Sequence, residues 1–217
     1  MNAFIDTLLL VYGGLFPIVN PIGSAPLFLG LTQFCSDPQR NGLARAVAIN
    51  SFFLLLGALF MGSHVLEFFG ISLPVVRIGG GLVVTAFGWK LLNSDAPPEG
   101  ASAAAAAANA TVPDSFYPLT MPLTVGPGSI SVAISLGSAR PKVLNFEHLI
   151  PLAGAAIAGI VLIVLTVYLS YRFAEGLVRL LGPVGTNVLM RLSAFIMLCI
   201  GIQILWSGWS ELTGIAH

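Results

Sequence analysis

The chain has 217 residues, of which 56% are hydrophobic and only 8% are charged, and its mean hydropathy is +0.93. Soluble domains carry about 25% charged residues, so this composition excludes a soluble protein and indicates a membrane protein. Nine basic and nine acidic residues give a formal net charge of zero, and no polybasic segment occurs, so we expect no nucleic-acid partner.

Six apolar stretches are long enough to cross a bilayer, which takes about 20 helical residues. In chain order they cover residues 4–31, 46–69, 74–93, 116–138, 149–171 and 188–209. The first stretch lacks the basic residues that precede the apolar region of a signal peptide. It is also longer than the apolar region of a signal peptide. We therefore expect it to be retained as a membrane span.

Two of these spans contain three prolines at the same spacing. They are Pro17, Pro21 and Pro26 in the first span, and Pro118, Pro122 and Pro127 in the fourth. Proline inside a helix removes an N–H donor and clashes with the carbonyl four residues earlier. In a bilayer, the disturbed carbonyls are tolerated only against protein or a water-filled cavity. Matched interruptions in two halves of a chain are typical of a transporter binding site; the alternative is two simple kinks that help helices pack.

Residues 94–115 separate the two halves and contain a proline pair and the alanine run 103–108, which indicates a linker. The chain then divides into a first three-helix repeat at 1–93 and a second at 116–217. Because each repeat has an odd number of spans, the second enters the membrane from the opposite side. We expect an all-α membrane protein of six transmembrane helices, built as two inverted three-helix repeats with proline-broken helices 1 and 4.

The basic residues that flank the spans predict the orientation of the chain. Six lie on one side and three on the other: Arg40, Arg45, Lys90, Arg172, Arg179 and Arg191 against Arg77, Arg140 and Lys142. The side richer in Lys and Arg faces the cytoplasm. This predicts a cytoplasmic linker and periplasmic termini, so the glycosylation pattern at Asn109-Ala110-Thr111 is expected to be accidental.

Small and polar residues surround both proline sets and are the candidate substrate-binding residues. They are Asn20, Pro21, Gly23 and Ser24 at the first, and Thr120, Thr124, Gly126, Pro127, Gly128 and Ser129 at the second. Glycines let a backbone approach a ligand, and Asn, Ser and Thr supply neutral donors and acceptors. The N-termini of half-helices suit a carboxylate, and exposed carbonyls suit an ammonium group or a sodium ion. A zwitterion such as a neutral amino acid would use both, although Ser and Thr could instead bond their own helix.

Charged residues inside the spans are few. Arg77 and Arg191 each lie about one turn inside a span, where they could gate or support the site, or reach back to the membrane surface. No carboxylate falls in the middle of a span, which disfavours a proton relay and leaves Na⁺ or H⁺ open as coupling ion. No motif of a nucleophile, metal site or phosphate loop occurs, so we expect no enzyme, no resident cofactor and no metal.

Four motifs carry a resemblance to a known family across nearly the whole chain. They are Asn20-Pro21-Ile22-Gly23; residues 69–74 running into Arg77-Ile78-Gly79-Gly80-Gly81; residues 118–122 with Gly126-Pro127-Gly128; and Arg191-Leu192 with Gly201-Ile202-Gln203. In this combination the chain resembles the MarC family (UPF0056) of bacterial inner-membrane proteins. The resemblance implies a multi-pass inner-membrane protein related to neutral amino-acid transporters and small-metabolite exporters. One departure is Ser193-Ala194, where the family commonly has an apolar residue and then glycine.

The resulting hypothesis is a secondary transporter of small neutral amino acids or similar zwitterions, which works by alternating access at a midplane site. Its partners would be the lipid bilayer and a small-molecule substrate. Two alternatives stay open at this point: a non-transporting assembly or regulatory component of the membrane, and an exporter of antibiotics or other small metabolites. The sequence leaves the substrate, the direction of transport and the oligomeric state open.

Overall fold

The computed structural model describes residues 3–93, 112–138 and 146–214, with side chains from residue 150 onward in the last range. The predicted linker lies outside the described residues up to residue 111, as does the glycosylation pattern at 109–111. Arg140 and Lys142, which contributed to the predicted orientation, also lie outside them.

The described residues form helices joined by short connections. The helices are α1 (Ala3–Val19), α2 (Pro21–Leu31), α3 (Asp37–Phe68), α4 (Leu73–Leu92), α5 (Pro127–Ser138), α6 (Phe146–Arg172) and α7 (Ala174–Thr213). A π-helical turn at Leu119–Thr124 precedes α5. Within these ranges, α3, α4, α6 and α7 are long and apolar enough to cross a membrane, and the bent pair α1–α2 is a fifth candidate. The protein is thus an all-helical membrane protein, and its predicted fourth span, 116–138, is divided between the π-helical turn and the 12-residue α5.

Two spans begin well before their apolar segments. Helix α3 starts at Asp37, because Gln39 Oε1 accepts a hydrogen bond from the Ser36 backbone N–H at 2.9 Å and caps the helix. Helix α7 starts at Ala174 and bends at Gly182, whose φ of 65° and ψ of 177° are not helical. Glycine adopts this positive φ without steric cost, and Pro183 follows it as the chain turns back into a helix. Polar helical turns therefore extend both spans beyond their predicted starts.

The first proline set breaks its helix at Asn20. Helices α1 and α2 meet there at 41°, and Asn20 has left-handed dihedral angles, φ 46° and ψ 56°. Asparagine tolerates this region better than most residues. Pro21 takes the first position of α2, where its missing N–H costs nothing, and Asn20 Oδ1 accepts from the Gly23 N–H at 3.2 Å. The segment therefore ends one helix and starts another at a single residue.

The second proline set breaks its segment at the matched residue. Met121 has extended dihedral angles, φ −115° and ψ 122°, and precedes Pro122 as Asn20 precedes Pro21. Because Pro122 has no N–H, the Pro118 carbonyl accepts instead from Leu123, five residues on, at 3.3 Å. This i to i+5 bond is the π-helical pattern. Pro122 thus accounts for the wider bond at the break, and bonds of the same type join Met121 to Phe116 and Val125 to Thr120.

Helices α4 and α7 pack against each other through glycine. A Cβ on Gly81 would lie 2.8 Å from the Gly201 carbonyl oxygen, and one on Gly88 would lie 3.1 Å from that of Ala194. Seven residues forward on α4 correspond to seven residues back on α7, so the two helices are antiparallel. Small residues let the two backbones touch, as is common between membrane helices.

The buried core lies mainly among α1, α2, α3 and α6. Its largest fully buried side chains include Leu15, Phe28, Leu55, Ile160 and Tyr171. Helix α1 packs on α6, α5 packs on α3, and α3 packs on α6. Helices α4 and α7 complete the bundle through contacts with α5 and α2 respectively. The two broken segments are therefore enclosed on several sides by continuous helices.

The glycine contact predicts different effects for two neighbouring substitutions. In Gly81→Ala, the new Cβ would lie 2.6 Å from the Leu205 backbone nitrogen, so the helices must separate, and we expect a loss of about 1–3 kcal/mol. Gly79→Ala meets no atom within 4 Å and should be neutral or stabilising by about 0.5–1 kcal/mol. Thermal unfolding of the purified protein in detergent measures both. Equal stability of the two variants would contradict the packing described above.

Candidate functional site

An open cavity of about 530 Å³ adjoins the first break. We call it the Asn20 cavity. Its polar lining comes from the break and from α7: Asn20, Gly23, Ser24, Asn187, Arg191 and Ser193. Among the described lining residues, Arg191 is the one charged side chain. The positive end of α2 also starts here, so the cavity favours a negative group beside neutral oxygen acceptors.

Gly23 is the residue over which the polar groups of the Asn20 cavity converge. A Cβ at this position would lie 2.5 Å from Ser193 Oγ and 2.5 Å from the Asn20 side-chain nitrogen. Only glycine therefore lets Asn20 and Ser193 approach each other across the start of α2. Ser193 supplies a hydroxyl to this cavity.

A second cavity, of about 400 Å³, adjoins the second break. We call it the Gly126 cavity, and the break contributes Pro122, Thr124, Gly126, Pro127, Gly128 and Ser129 to its lining. Phe87, Leu123 and Met197 line both cavities. The two breaks, far apart in the sequence, therefore lie side by side with three apolar side chains between their cavities.

Tyr171, at the end of α6, links the two breaks by hydrogen bonds. Its hydroxyl donates to Ser24 Oγ at 3.1 Å and lies 2.8 Å from Thr124 Oγ1. The ring is fully buried and stacks on Phe28 with centroids 4.3 Å apart. Neither cavity includes Tyr171 in its described lining. The residue therefore joins the breaks from behind the cavities.

The hydroxyl groups of Tyr171, Ser24 and Thr124 make more polar contacts than they have protons to donate. Ser24 Oγ donates to the Asn20 carbonyl at 2.9 Å, and Thr124 Oγ1 lies 2.7 Å from the Leu119 carbonyl. Ser24 Oγ also lies 3.3 Å from the Pro21 carbonyl, so three hydroxyl protons serve five contacts. With Tyr171 donating to Ser24, the single proton of Thr124 goes either to the Leu119 carbonyl or to Tyr171. The network has two arrangements of similar geometry.

The remaining predicted site residues lie away from both cavities. Pro21 is buried at the start of α2. Thr120 is also buried; its hydroxyl donates to the Ser115 carbonyl at 2.7 Å and accepts from Asn50 Nδ2 at 3.4 Å. Arg77 donates from Nε to Ser135 Oγ at 3.0 Å, and its guanidinium pairs with Glu211. Arg77 therefore ties α4 to α5 and α7, whereas Arg191 faces the Asn20 cavity.

The sequence reasoning missed several residues of this region. Phe87 and Met197 lie in uninterrupted apolar segments, and Tyr171 lies at a span end, where aromatic residues are common. One sequence pattern indicates a polar wall of the Asn20 cavity. Asn187 and Arg191 are four residues apart, so they share a helix face within an otherwise apolar segment. Within the described ranges, no group of three or more His, Cys, Asp or Glu side chains is arranged to hold a metal ion.

Comparisons with known proteins identify a family of integral membrane proteins. The model of the family described as MarC family integral membrane protein matches residues 3–213. The UPF0056 inner membrane protein MarC of Escherichia coli O1:K1 / APEC is 31% identical over 209 residues, which is 94% of each chain. The protein of the same name in Escherichia coli strain K12 is 30% identical over the same share of both chains. No solved structure matches the chain. The chain belongs to the MarC family of integral inner-membrane proteins.

Proposed function

We propose that this protein is a secondary transporter of small zwitterions, such as neutral amino acids, and that it works by alternating access. The observation that carries the proposal is the pair of adjoining cavities at two matched helix breaks. Phe87, Leu123 and Met197, which line both, would form the barrier between them. Discontinuous helices at a central site are the recurring architecture of such carriers.

Inverted three-helix repeats are part of this proposal, with residues 116–138 as the fourth span. The helix contacts support it, because they are preserved when the halves are exchanged. Helix α2 packs on α6 as α5 packs on α3, and α2 packs on α7 as α5 packs on α4. Helices α4 and α7 are antiparallel, as a two-fold axis in the membrane plane requires. The excess of basic residues at one side favours periplasmic termini and a cytoplasmic linker.

The Asn20 cavity would bind the two charged groups of a zwitterion at different walls. Arg191 and the N-terminus of α2 would attract the carboxylate. Asn20 and Ser193 offer neutral oxygens to the ammonium group. The apolar wall shared with the Gly126 cavity would face a small apolar side chain. The crowding over Gly23 favours a substrate of small size.

Two substitutions at Asn20 separate its side chain from its backbone. Asn20→Gly keeps access to the left-handed backbone but removes the amide, whereas Asn20→Ala removes the amide and also strains the break. We expect both to lower saturable uptake at least about ten-fold, because each loses a substrate hydrogen bond. The assay is uptake of a panel of radiolabelled neutral amino acids into proteoliposomes, with and without a sodium gradient. The dependence on the gradient identifies the coupling ion.

Asn93→Ala serves as the control, because Asn93 is exposed at the end of α4 and lies outside both cavities. No uptake by the folded wild-type protein would overturn the amino-acid assignment.

A non-transporting membrane component makes the opposite prediction for the breaks. In that case Pro21→Ala and Pro127→Ala would be benign, because each proline takes the first position of its helix, where its missing N–H breaks no helix hydrogen bond.

The two arginines should respond differently to neutralisation. Arg191→Gln removes the charge in the Asn20 cavity, so we expect KM for the zwitterion to rise about ten-fold. Arg77→Gln loses a partly exposed ion pair with Glu211, so it should cost no more than about 1 kcal/mol of stability and leave KM unchanged. Uptake as a function of substrate concentration distinguishes them. The reverse pattern would place the charged group of the site on α4.

Tyr171→Phe tests the link between the breaks. The variant removes the hydroxyl contacts to Ser24 and Thr124 while keeping the ring on Phe28, so we expect a loss of about 1 kcal/mol of stability. The maximal uptake rate should fall without a change in KM, because Tyr171 lies outside the described cavity linings. Tyr117→Phe, at an exposed residue, is the control. A change in KM alone would show instead that Tyr171 acts on binding.

A further inference from the structure

A groove between α3 and α6 is separate from both cavities. It lies at the end of the bundle where α3 begins and α6 ends, and its volume is about 970 Å³, including space that is open to the surroundings. Its lining is apolar except at one edge: Ala48, Ile49, Phe52, Phe53, Val164 and Tyr168, with Arg45 at that edge. We call it the Arg45 groove. Phe53 is 64% exposed within it, so the groove presents apolar surface to the hydrocarbon of a bilayer.

A pocket of about 740 Å³ lies beyond the charged edge of this groove. We call it the arginine pocket, since Arg40, Arg172 and Arg179 line it together with Asp37 and Glu175. The groove and the pocket adjoin along two helices. Asn41 of the pocket is one turn before Arg45 on α3, and Arg172 is one turn after Tyr168 on α6. The two therefore form one continuous surface that is apolar at one end and cationic at the other.

The positive charge of this surface exceeds its negative charge by two. Glu175 accepts from Arg179 at 2.8 Å, and Arg40 lies 3.2 Å from Asp37 and 3.5 Å from Glu175. Among the described residues, no carboxylate lies within 4 Å of the guanidinium of Arg45 or Arg172. These two arginines flank the junction between groove and pocket and carry the excess charge.

Two further features add to the positive potential of the pocket. Arg40 Nε is buried and has no hydrogen-bond partner among the described residues. Helices α3 and α7 both begin beside the pocket, at Asp37 and Ala174, and helix N-termini favour anions. An anionic oxygen in the pocket would give Arg40 Nε the acceptor that it lacks.

We propose that the Arg45 groove and the arginine pocket hold one anionic phospholipid. Its phosphate contacts Arg45 and Arg172 at the junction, and an acyl chain lies along Phe53 and Val164. Basic pockets between membrane helices bind anionic headgroups in this way. The apolar continuation favours a lipid over a free phosphate ion, which would leave the groove unfilled. The inference is independent of the proposed transport.

Native mass spectrometry of the purified full-length protein tests this site. The probes are phosphatidylglycerol and phosphatidylcholine with the same acyl chains, and the measured quantity is the ratio of the two lipids bound. The wild-type protein should prefer phosphatidylglycerol. Each of Arg45→Gln and Arg172→Gln should lower the ratio about five-fold. Lys90→Gln removes a charge from α4, which ends on the same side of the bundle, and should leave the ratio unchanged.

A further variant and a competitor test whether something other than an intact lipid occupies the Arg45 groove and the arginine pocket. Arg45→Lys keeps the charge and should keep the preference, which separates charge loss from misfolding. Glycerophosphoglycerol, the headgroup without acyl chains, should not compete with the intact lipid. The proposal is overturned by equal binding of the two lipids, by an unchanged ratio in the double glutamine variant, or by full competition from the headgroup alone. A dimer that dissociates in the glutamine variants would also overturn it, because the groove would then be covered by a second copy.

Discussion

The constraint on which this structure depends is the cost of an unpaired backbone group inside a membrane. Both proline sets withdraw N–H donors from their segments, so carbonyls need other partners. At the second break the Pro118 carbonyl accepts a hydrogen bond from the Leu123 N–H, which forms a wider, π-helical turn. At the first break the Asn20 side chain accepts from Gly23 and starts a new helix. The repair at the first break uses a polar side chain and the repair at the second a backbone N–H, and the protein wall around both breaks also lines the cavities.

The antiparallel pair of α4 and α7 supplies most of that wall. Its backbones meet at Gly81 and Gly201, which leaves other faces of the two helices free to reach the breaks. Phe87 of α4 and Met197 of α7 extend from this pair to both cavities. The bundle thus combines one closely packed, continuous element with two interrupted ones. Such a division suits a carrier, since interrupted segments can rearrange against a rigid partner.

The local chemistry of the breaks was readable from the sequence, and the contacts between distant segments were not. Proline acts on its own backbone, so the spacing of the two sets predicted interruptions that lie at the matched residues Asn20 and Met121. Arg77 and Arg191 look equivalent in sequence, because each lies about one turn inside an apolar segment. Only tertiary packing pairs the former with Glu211 and turns the latter toward the cavity. Tyr171 is likewise recognisable only once α2, α6 and the π-helical turn are assembled.

The geometry of α4 and α7 also explains why the two arginines differ. Gly88 lies against the Ala194 carbonyl and Gly208 against the Pro74 carbonyl, so in the proposed repeats a two-fold exchange would relate Pro74 to Ala194 and Gly88 to Gly208. The same exchange would relate Arg77 to Met197, a residue of the shared apolar wall, and would leave Arg191 without a basic counterpart on α4. The proposed repeats would therefore enclose an asymmetric site, with charge at the Asn20 cavity and hydroxyl and apolar groups at the Gly126 cavity. A zwitterion would keep its carboxylate beside one arginine while the barrier between the cavities moves, which requires only one charged anchor.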